Sequence, residues 1–307
     1  MKKIFIVSGF LVLLIGSVFI TYKIHAPIKI TETQSSVDKS TDKKNIVQPT
    51  ASELTLPQNS SDATTKKVPL IYDILGTSSR PTVYPDEAMT KWRKNVVNLA
   101  KKYPSNLYIN GQNENKVVAL TFDDGPDPVN TPKIIKVLRD NNIQGTFFCI
   151  GKQIEACKSI IKEAYADGNV IANHSWSHKD FTTINAAEIN NEVTLTENEI
   201  NKVIGKRTAL IRPPYGDTND AVQNSLIELN YKNILWSTDT LDWEQREVAN
   251  IVKNVVENVR PGEIILMHSN EDKKVTTEAL PQIISRLKEM GYSFVTVDKL
   301  LEISAYK

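Results

Sequence analysis

The sequence predicts an α/β fold, with parallel strands wrapped by helices, closer to a small or incomplete barrel than to an open sheet. Three observations predict it. From Lys116 onward, short apolar runs alternate with amphipathic stretches of helical length. Seven such runs fit into about 185 residues, which suits a small or incomplete barrel better than an open sheet. The residues best suited to chemistry fall directly after the runs, on the rim where parallel barrels hold their sites.

The chain begins with Met1-Lys2-Lys3 and an uncharged run over residues 4–22 rich in Ile, Val, Leu and Phe. As a helix this run spans about 28 Å, close to the roughly 30 Å of a hydrocarbon core. A small-x-small cleavage site is poor here, because Ile24 stands two places before Ala26 and Pro27 follows it. Residues 1–28 are therefore expected to be an uncleaved single-pass anchor, with secretion after signal cleavage as the alternative, and the rest of the chain is expected outside the cell. Residues 29–67 are rich in Thr, Ser, Gln, Asp and Lys and read as a disordered polar tether. Residues 68–115 form an extension without recognisable chemistry. Within it Pro85-Asp86-Glu87 starts a helix, Trp92, Val96, Val97 and Leu99 stripe it, and Tyr103-Pro104 ends it.

The predicted strands cover residues 117–122, 145–150, 169–173, 210–212, 233–237, 263–268 and 292–297. Each is a short, nearly continuous apolar run, as strands buried on both faces should be. The intervening helices are expected over 131–141, 152–167, 186–204, 220–229, 247–259 and 276–290. Thr131-Pro132 is a helix start, and Asp167-Gly168 and Met290-Gly291 are stops. A net charge of +1 with 24% charged residues argues against a nucleic-acid binder, which would carry a basic face or stripe. Cys149 and Cys157 form no C-x-x-C motif and read as two separate buried thiols.

Asp123-Asp124 follow the first run, His174 the third, Arg212 the fourth, Asp239 the fifth and His268 the sixth. His174 and His178, four apart, share one face if the segment makes a helical turn, and can then hold a divalent ion together. Ser175 stands where the zinc-protease helix motif requires Glu, which excludes that class. One of the paired Asp residues can complete a three-ligand site that keeps an open position, leaving the other as a base. Arg212 can pair with the free Asp, and Asp239 can hold the tautomer of His268 as an acid.

These residues resemble the polysaccharide deacetylases with a NodB homology domain, carbohydrate esterase family 4. The likeness covers about residues 116–303. It rests on Thr121-Phe122-Asp123-Asp124-Gly125-Pro126, on His174-Ser175-Trp176-Ser177-His178, on Arg212-Pro213-Pro214-Tyr215-Gly216, on Asp239-Thr240-Leu241-Asp242-Trp243 and on Leu266-Met267-His268, in that order. The only departure noted is Ser269-Asn270 after the last motif, where members often carry Asp. The resemblance implies a distorted (β/α)7 barrel and a metal-dependent N-deacetylase acting on an amino-sugar polymer. The implied substrate is the N-acetylglucosamine of cell-wall peptidoglycan. The alternatives are chitin, chitooligosaccharide or poly-N-acetylglucosamine, or, in another class, a non-catalytic glycan-binding wall protein. It further implies Asp123 as base, Arg212 orienting it, and Asp124, His174 and His178 as ligands of one divalent ion, Zn2+ by preference with Co2+, Ni2+ or Mn2+ as alternatives. His268 is implied as acid with Asp239 behind it. Tyr215, with Pro214 beside it, would offer its backbone N–H to an oxyanion, Leu266 would line the acetyl-methyl pocket, and Trp243 would wall the groove. Trp176 and Trp243 are the aromatics expected to stack on a sugar, and Trp236 is expected in the core. The expected partners are the wall glycan and, through residues 1–28, the membrane. The chain is expected to act as a monomer.

Overall fold

A computed structural model describes residues 70–78, 86–111 and 114–307. The expected anchor and tether lie outside the described residues, and among those described no helix is long and apolar enough to cross a membrane. The elements are α1 (Asp86–Lys102), β1 (Leu107–Tyr108), β2 (Val117–Asp123), α2 (Thr131–Asp140), β3 (Thr146–Cys149), α3 (Gly151–Ile154), α4 (Lys158–Ala166), β4 (Val170–Asn173), α5 (Ala186–Ile204), β5 (Leu210–Ile211), α6 (Asp220–Glu228), β6 (Lys232–Ile234), β7 (Thr238–Asp239), α7 (Val248–Asn258), β8 (Ile264–His268), α8 (Lys274–Glu289), β9 (Ser293–Phe294) and α9 (Val297–Leu301).

The strands form one sheet in the order β1-β6-β5-β4-β3-β2-β8-β7, with β9 beside the start of β2, and every pairing between named strands is parallel. Near the two ends of that order stand β6 and β7, which are one stretch of chain, so the sheet curls round on itself. The fold is thus a curled, parallel α/β half-barrel. The seven expected strands become nine, because Thr238–Asp239, just past the fifth run, forms β7 and because Leu107–Tyr108 adds an edge strand beside β6. The predicted helix over 152–167 is also divided, since the turn at Glu155–Cys157 separates α3 from α4 and buries Cys157.

Local sequence explains the boundaries. Asn185 and Glu188 make a reciprocal capping box at the start of α5, and Gly205 ends it in the left-handed conformation at φ 69°. Along β2, period-two alternation sends Val118, Leu120 and Phe122 to the helix-covered outer core and Ala119 to the inner one. The same alternation places Thr121 and Asp123 on the inner side. In β8, Ile265 and Met267 face out while Ile264 and Leu266 face in, which carries His268 inward as well. α1 closes part of the inner core with Val96, Val97, Leu99 and Ala100, all buried. Both cysteines are buried free thiols, and burial pushes Cys149 well above its ordinary range.

Candidate active site

The register of β2 against β8 makes Asp123 and His268 direct partners across the sheet, and Thr121 pairs with Leu266 one step inward. Arg212 follows β5 and is wholly buried. Its Nη1 donates to Asp123 Oδ1 at 2.8 Å and to Thr121 Oγ1 at 2.9 Å. Its Nε and Nη2 donate to the carbonyls of Ile234 and Leu235, and its plane lies 4.2 Å from the centre of the Phe148 ring. Burial alone depresses the guanidinium, and Asp123 opposes that. One carboxylate oxygen of Asp123 is therefore held, while the other stands 3.9 Å from His174 Nε2.

His174 and His178 are brought together by a loop and not by a helical turn. Ser175 and His178 adopt left-handed backbone at φ 67° and 62°, and the two rings meet with centroids 5.0 Å apart. Ser175 Oγ accepts the His178 N–H at 2.9 Å, and Asn173 Oδ1 accepts that of Ser175 at 2.8 Å, which holds the loop. His174 Nδ1 lies 2.7 Å from the Arg212 carbonyl oxygen, an acceptor only, so the ring proton is on Nδ1 and the Nε2 lone pair faces the cavity. Asp124 follows at φ 68°, its Oδ1 3.3 Å from His174 Nε2 and 3.1 Å from His178 Nε2.

The donor set tests whether a metal fits. Asp124 Oδ1 is buried and has no hydrogen-bond donor among the described residues. It faces two imidazole nitrogens, and the three ligand atoms lie within 4.8 Å of one another. Lone-pair atoms gathered this closely without a proton between them suit a cation. One carboxylate and two histidines make a candidate three-ligand divalent-metal site.

On the other flank His268 Nδ1 lies 2.7 Å from Asp242 Oδ1. Asp242 Oδ2 accepts the His268 backbone N–H at 2.8 Å and the Thr276 hydroxyl at 2.5 Å. Burial would lower the imidazole, yet Asp242 above all, with Asp124 and Asp123, raises it from 6.5 to about 9. The expectation that Asp239 stands behind His268 is thereby corrected. Asp239 Oδ1 instead accepts the Leu241 N–H at 2.9 Å and the Trp243 indole N–H at 3.2 Å. The left-handed Leu241, φ 56°, turns the chain so that the second Asp of the pair reaches the imidazole. Burial pushes Asp239 upward, and Asp242 adds to this.

Asp123, Asp124, His174, His178, Asp239 and His268 line one cavity of about 600 Å³. Tyr215, Trp243 and Leu266 also line it. Tyr215 sits at φ 63° in the short turn Pro214–Gly216, with its ring 4.7 Å from that of His178. Pro214 is buried in that turn and is not part of the wall. Trp176 is not on the wall either, because its ring lies over Gly151 at the start of α3, where a Cβ would come within 2.6 Å of it. Trp236, expected in the core, is buried and lines the cavity as well. Sequence reasoning missed Asp242 behind the imidazole, and Trp92 and Met89 of α1 with Asp180 and Asp217 on the wall. For Asp242 the signal was present in the doubled Asp of Asp239-Thr240-Leu241-Asp242. For Trp92 and Met89 no local signal exists, since only the fold brings them there.

A buried Arg-held carboxylate, an Asp-His-His trio and an Asp-backed imidazole at the C-terminal rim of a parallel sheet define a metal-assisted hydrolase of the acyl-transfer kind. The family model described as polysaccharide deacetylase matches residues 110–234. A peptidoglycan-N-acetylglucosamine deacetylase of Bacillus cereus is 38% identical over 189 residues, which are 61% of this chain and 69% of the relative. The peptidoglycan-N-acetylmuramic acid deacetylase PdaC of Bacillus subtilis is 35% identical over 188 residues, 61% of this chain and 39% of the relative. Among solved structures, the peptidoglycan N-acetylglucosamine deacetylase Bc1960, crystallised with 4-naphthalen-1-yl-N-oxidanyl-benzamide, superposes with a TM-score of 0.66 at 34% identity, covering 68% of this chain and 99% of that one. The chain belongs to the polysaccharide deacetylase family.

Proposed function

We propose that the chain removes the N-acetyl group from N-acetylglucosamine in cell-wall peptidoglycan. The observation that carries the reading is the pairing of Asp123 with His268 across β2 and β8, in the cavity that the Asp124, His174 and His178 trio also lines. The peptidoglycan deacetylases among its relatives support the choice of polymer. Asp124, His174 and His178 would hold the metal, Zn2+ by preference. When bound there, it supplies Lewis acidity, which polarises an acetyl carbonyl and eases deprotonation of water.

The protein's own residues supply the rest. Asp123, with one oxygen fixed by Arg212, keeps the other toward the cavity and accepts the proton of the attacking water. The Tyr215 N–H is the backbone donor proposed for the oxyanion that forms on the acetyl oxygen. His268, kept protonated by Asp242, donates to the departing amine nitrogen, so glucosamine and acetate leave. Leu266 and Trp243 give the acetyl methyl and the sugar ring apolar surface. The resident site and the wall substrate fit a catalytic domain outside the cell. We extend the proposal to residues 4–22 as a single-pass anchor, tested by whether the full chain partitions with membranes and loses that partitioning when the run is deleted.

The test of the activity is mass spectrometry of muropeptides after treatment with the purified zinc-loaded chain. The expected result is a loss of 42 Da per reacted residue, about the mass of an acetyl less a proton, confined to N-acetylglucosamine. Loss from muramic acid would move the substrate assignment to the neighbouring sugar. Binding to wall polymer without acetate release would favour a glycan-binding protein and overturn the proposal.

A further inference from the structure

The cavity wall is not built by the barrel alone. α1, formed by the extension before the strands, contributes Ala88, Met89 and Trp92 to the lining. Trp92 meets Trp236 with ring centroids 5.3 Å apart, and both press on Gly216, where a Cβ would fall 2.5 Å from Trp236 and 2.9 Å from Trp92. Gly216 follows Tyr215, whose ring packs on His178 and whose side of the cavity is open, the residue being 57% exposed. An aromatic surface therefore runs from the ligand His178 through Tyr215 to Trp92, extending from the acetyl-cleaving groups to the helix. Exposed aromatic surface beside a cleft marks a ligand contact more often than chance exposure.

Polar groups flank that surface with one kind of chemistry. Asp180 and Asp217 line the same cavity. Burial pushes the Asp217 carboxyl up, and the negative charge of Asp180 adds to this. Asp180 Oδ1 is engaged by the N–H and hydroxyl of Thr182, which fixes that side chain. A pyranose offers what such a surface takes: an apolar C–H face for an aromatic ring and hydroxyl donors at its edge for carboxylates. Two carboxylates disfavour an anionic group against them, so the edge of the sugar that meets them is one that carries hydroxyls.

We propose that Trp92 and Met89 of α1, with Tyr215, Asp180 and Asp217, form a second sugar subsite that holds the residue next to the one losing its acetyl group, so that the extension sets the preference for chains over single sugars. The inference rests on the deacetylase reading and deepens it. Binding energy gathered on the neighbouring sugar positions the scissile acetyl against Asp123 and His268.

The test compares kcat/KM for β-1,4-linked tetra-N-acetylglucosamine with that for 4-nitrophenyl acetate, an acetyl ester without any sugar ring, in the zinc-loaded full chain. For Trp92→Ala the ratio of the two values is expected to fall about 10-fold, chiefly through KM for the tetrasaccharide. Trp92→Phe should restore most of the ratio, and Met89→Ala, a milder change at a half-buried position, should lower it about 3-fold. Equal losses on both substrates in Trp92→Ala, leaving the ratio as in the wild type, would mean that Trp92 only supports the fold and would overturn the subsite. A ratio unchanged in Met89→Ala and in Trp92→Ala together would do the same. A wild-type protein that cleaves the ester and releases no acetate from any acetylated amino-sugar chain would sink the deacetylase reading and the subsite with it, a result distinguishable from failure of the subsite alone.

Discussion

Asp242→Asn should move the alkaline limit of activity far more than Asp239→Asn does. His268 must carry a proton to serve as the acid, and in the folded protein its imidazole is raised from 6.5 to about 9. That rise is worth about 3 kcal/mol in favour of the protonated ring. Burial opposes it, so the attraction comes from the carboxylates, with Asp242 first among them at 2.7 Å. The sign follows from a raised folded-state value. The acid is available below that value and is lost as pH rises through about 9. With the charge at position 242 removed, the limb should fall to 6.5 or below. At pH 8 the protonated fraction then drops from about nine-tenths to about one-thirtieth, a loss near 30-fold in kcat. A bound cation lowers both limbs together, so the separation between wild type and variant is the quantity to measure.

The assay is acetate release from pH 5.5 to 10 in the zinc-loaded enzyme, with melting curves at each pH. The melting curves carry a second check of the same linkage. The His268–Asp242 pair adds stability that is fully present below about pH 6.5 and is lost as pH rises through about 9, and Asp242→Asn should flatten that slope. An alkaline limb that stays in place in Asp242→Asn, or one that moves equally in Asp239→Asn, would refute the assignment of the supporting carboxylate.

Asp123→Asn should retain bound metal by elemental analysis while losing about 100-fold or more in kcat, and a variant as active as wild type would remove Asp123 from the chemistry. Exhaustive chelation should abolish activity and lower Tm, with zinc restoring both; turnover that survives chelation would defeat the three-ligand site. Arg212→Met leaves the buried Asp123 carboxylate without its cation and strands two backbone carbonyls. It should lower Tm by about 10 °C, and a shift under 2 °C would show that the pair contributes little.

The order of strands and helices was legible because each strand of a covered parallel sheet is an unbroken apolar run, and because signals such as Thr131-Pro132, Asp167-Gly168 and Met290-Gly291 mark helix ends. The site was legible because its groups fall at strand ends. What pattern reading missed depends on short-range geometry or long-range packing. Asp239 and Asp242 are chemically identical and three residues apart, and only the turn at Leu241 decides which one reaches His268. Trp176 stands between the two ligand histidines, yet Gly151 receives its ring, while Trp236 reaches the cavity from the bend between β6 and β7. Trp92 lies well ahead of the first motif, at Thr121, and arrives on α1. A periodicity of two or of 3.6 has no means of reporting such positions.

The backbone makes the same point about where the sequence departs from local rules. Eight described residues other than Gly have positive φ. Three of them, Asn142, Asn230 and Glu302, stand just past the ends of α2, α6 and α9, where a left-handed residue normally terminates a helix. The other five are Asp124, Ser175, His178, Tyr215 and Leu241, all within the segments that bear the catalytic groups. Each costs about 1 kcal/mol or more against an ordinary conformation, and none is at a helix end that would call for it. Relaxing any of these turns would redirect the side chains that follow it. Asp124 and His178 would leave the lone-pair cluster, and Asp242 would leave His268. The strain is held by buried hydrogen bonds, among them Asn173 to Ser175, Ser175 to His178 and Asp239 to Leu241. The residues that position the chemistry therefore include two, Asn173 and Asp239, whose own side chains need never touch the reacting atoms.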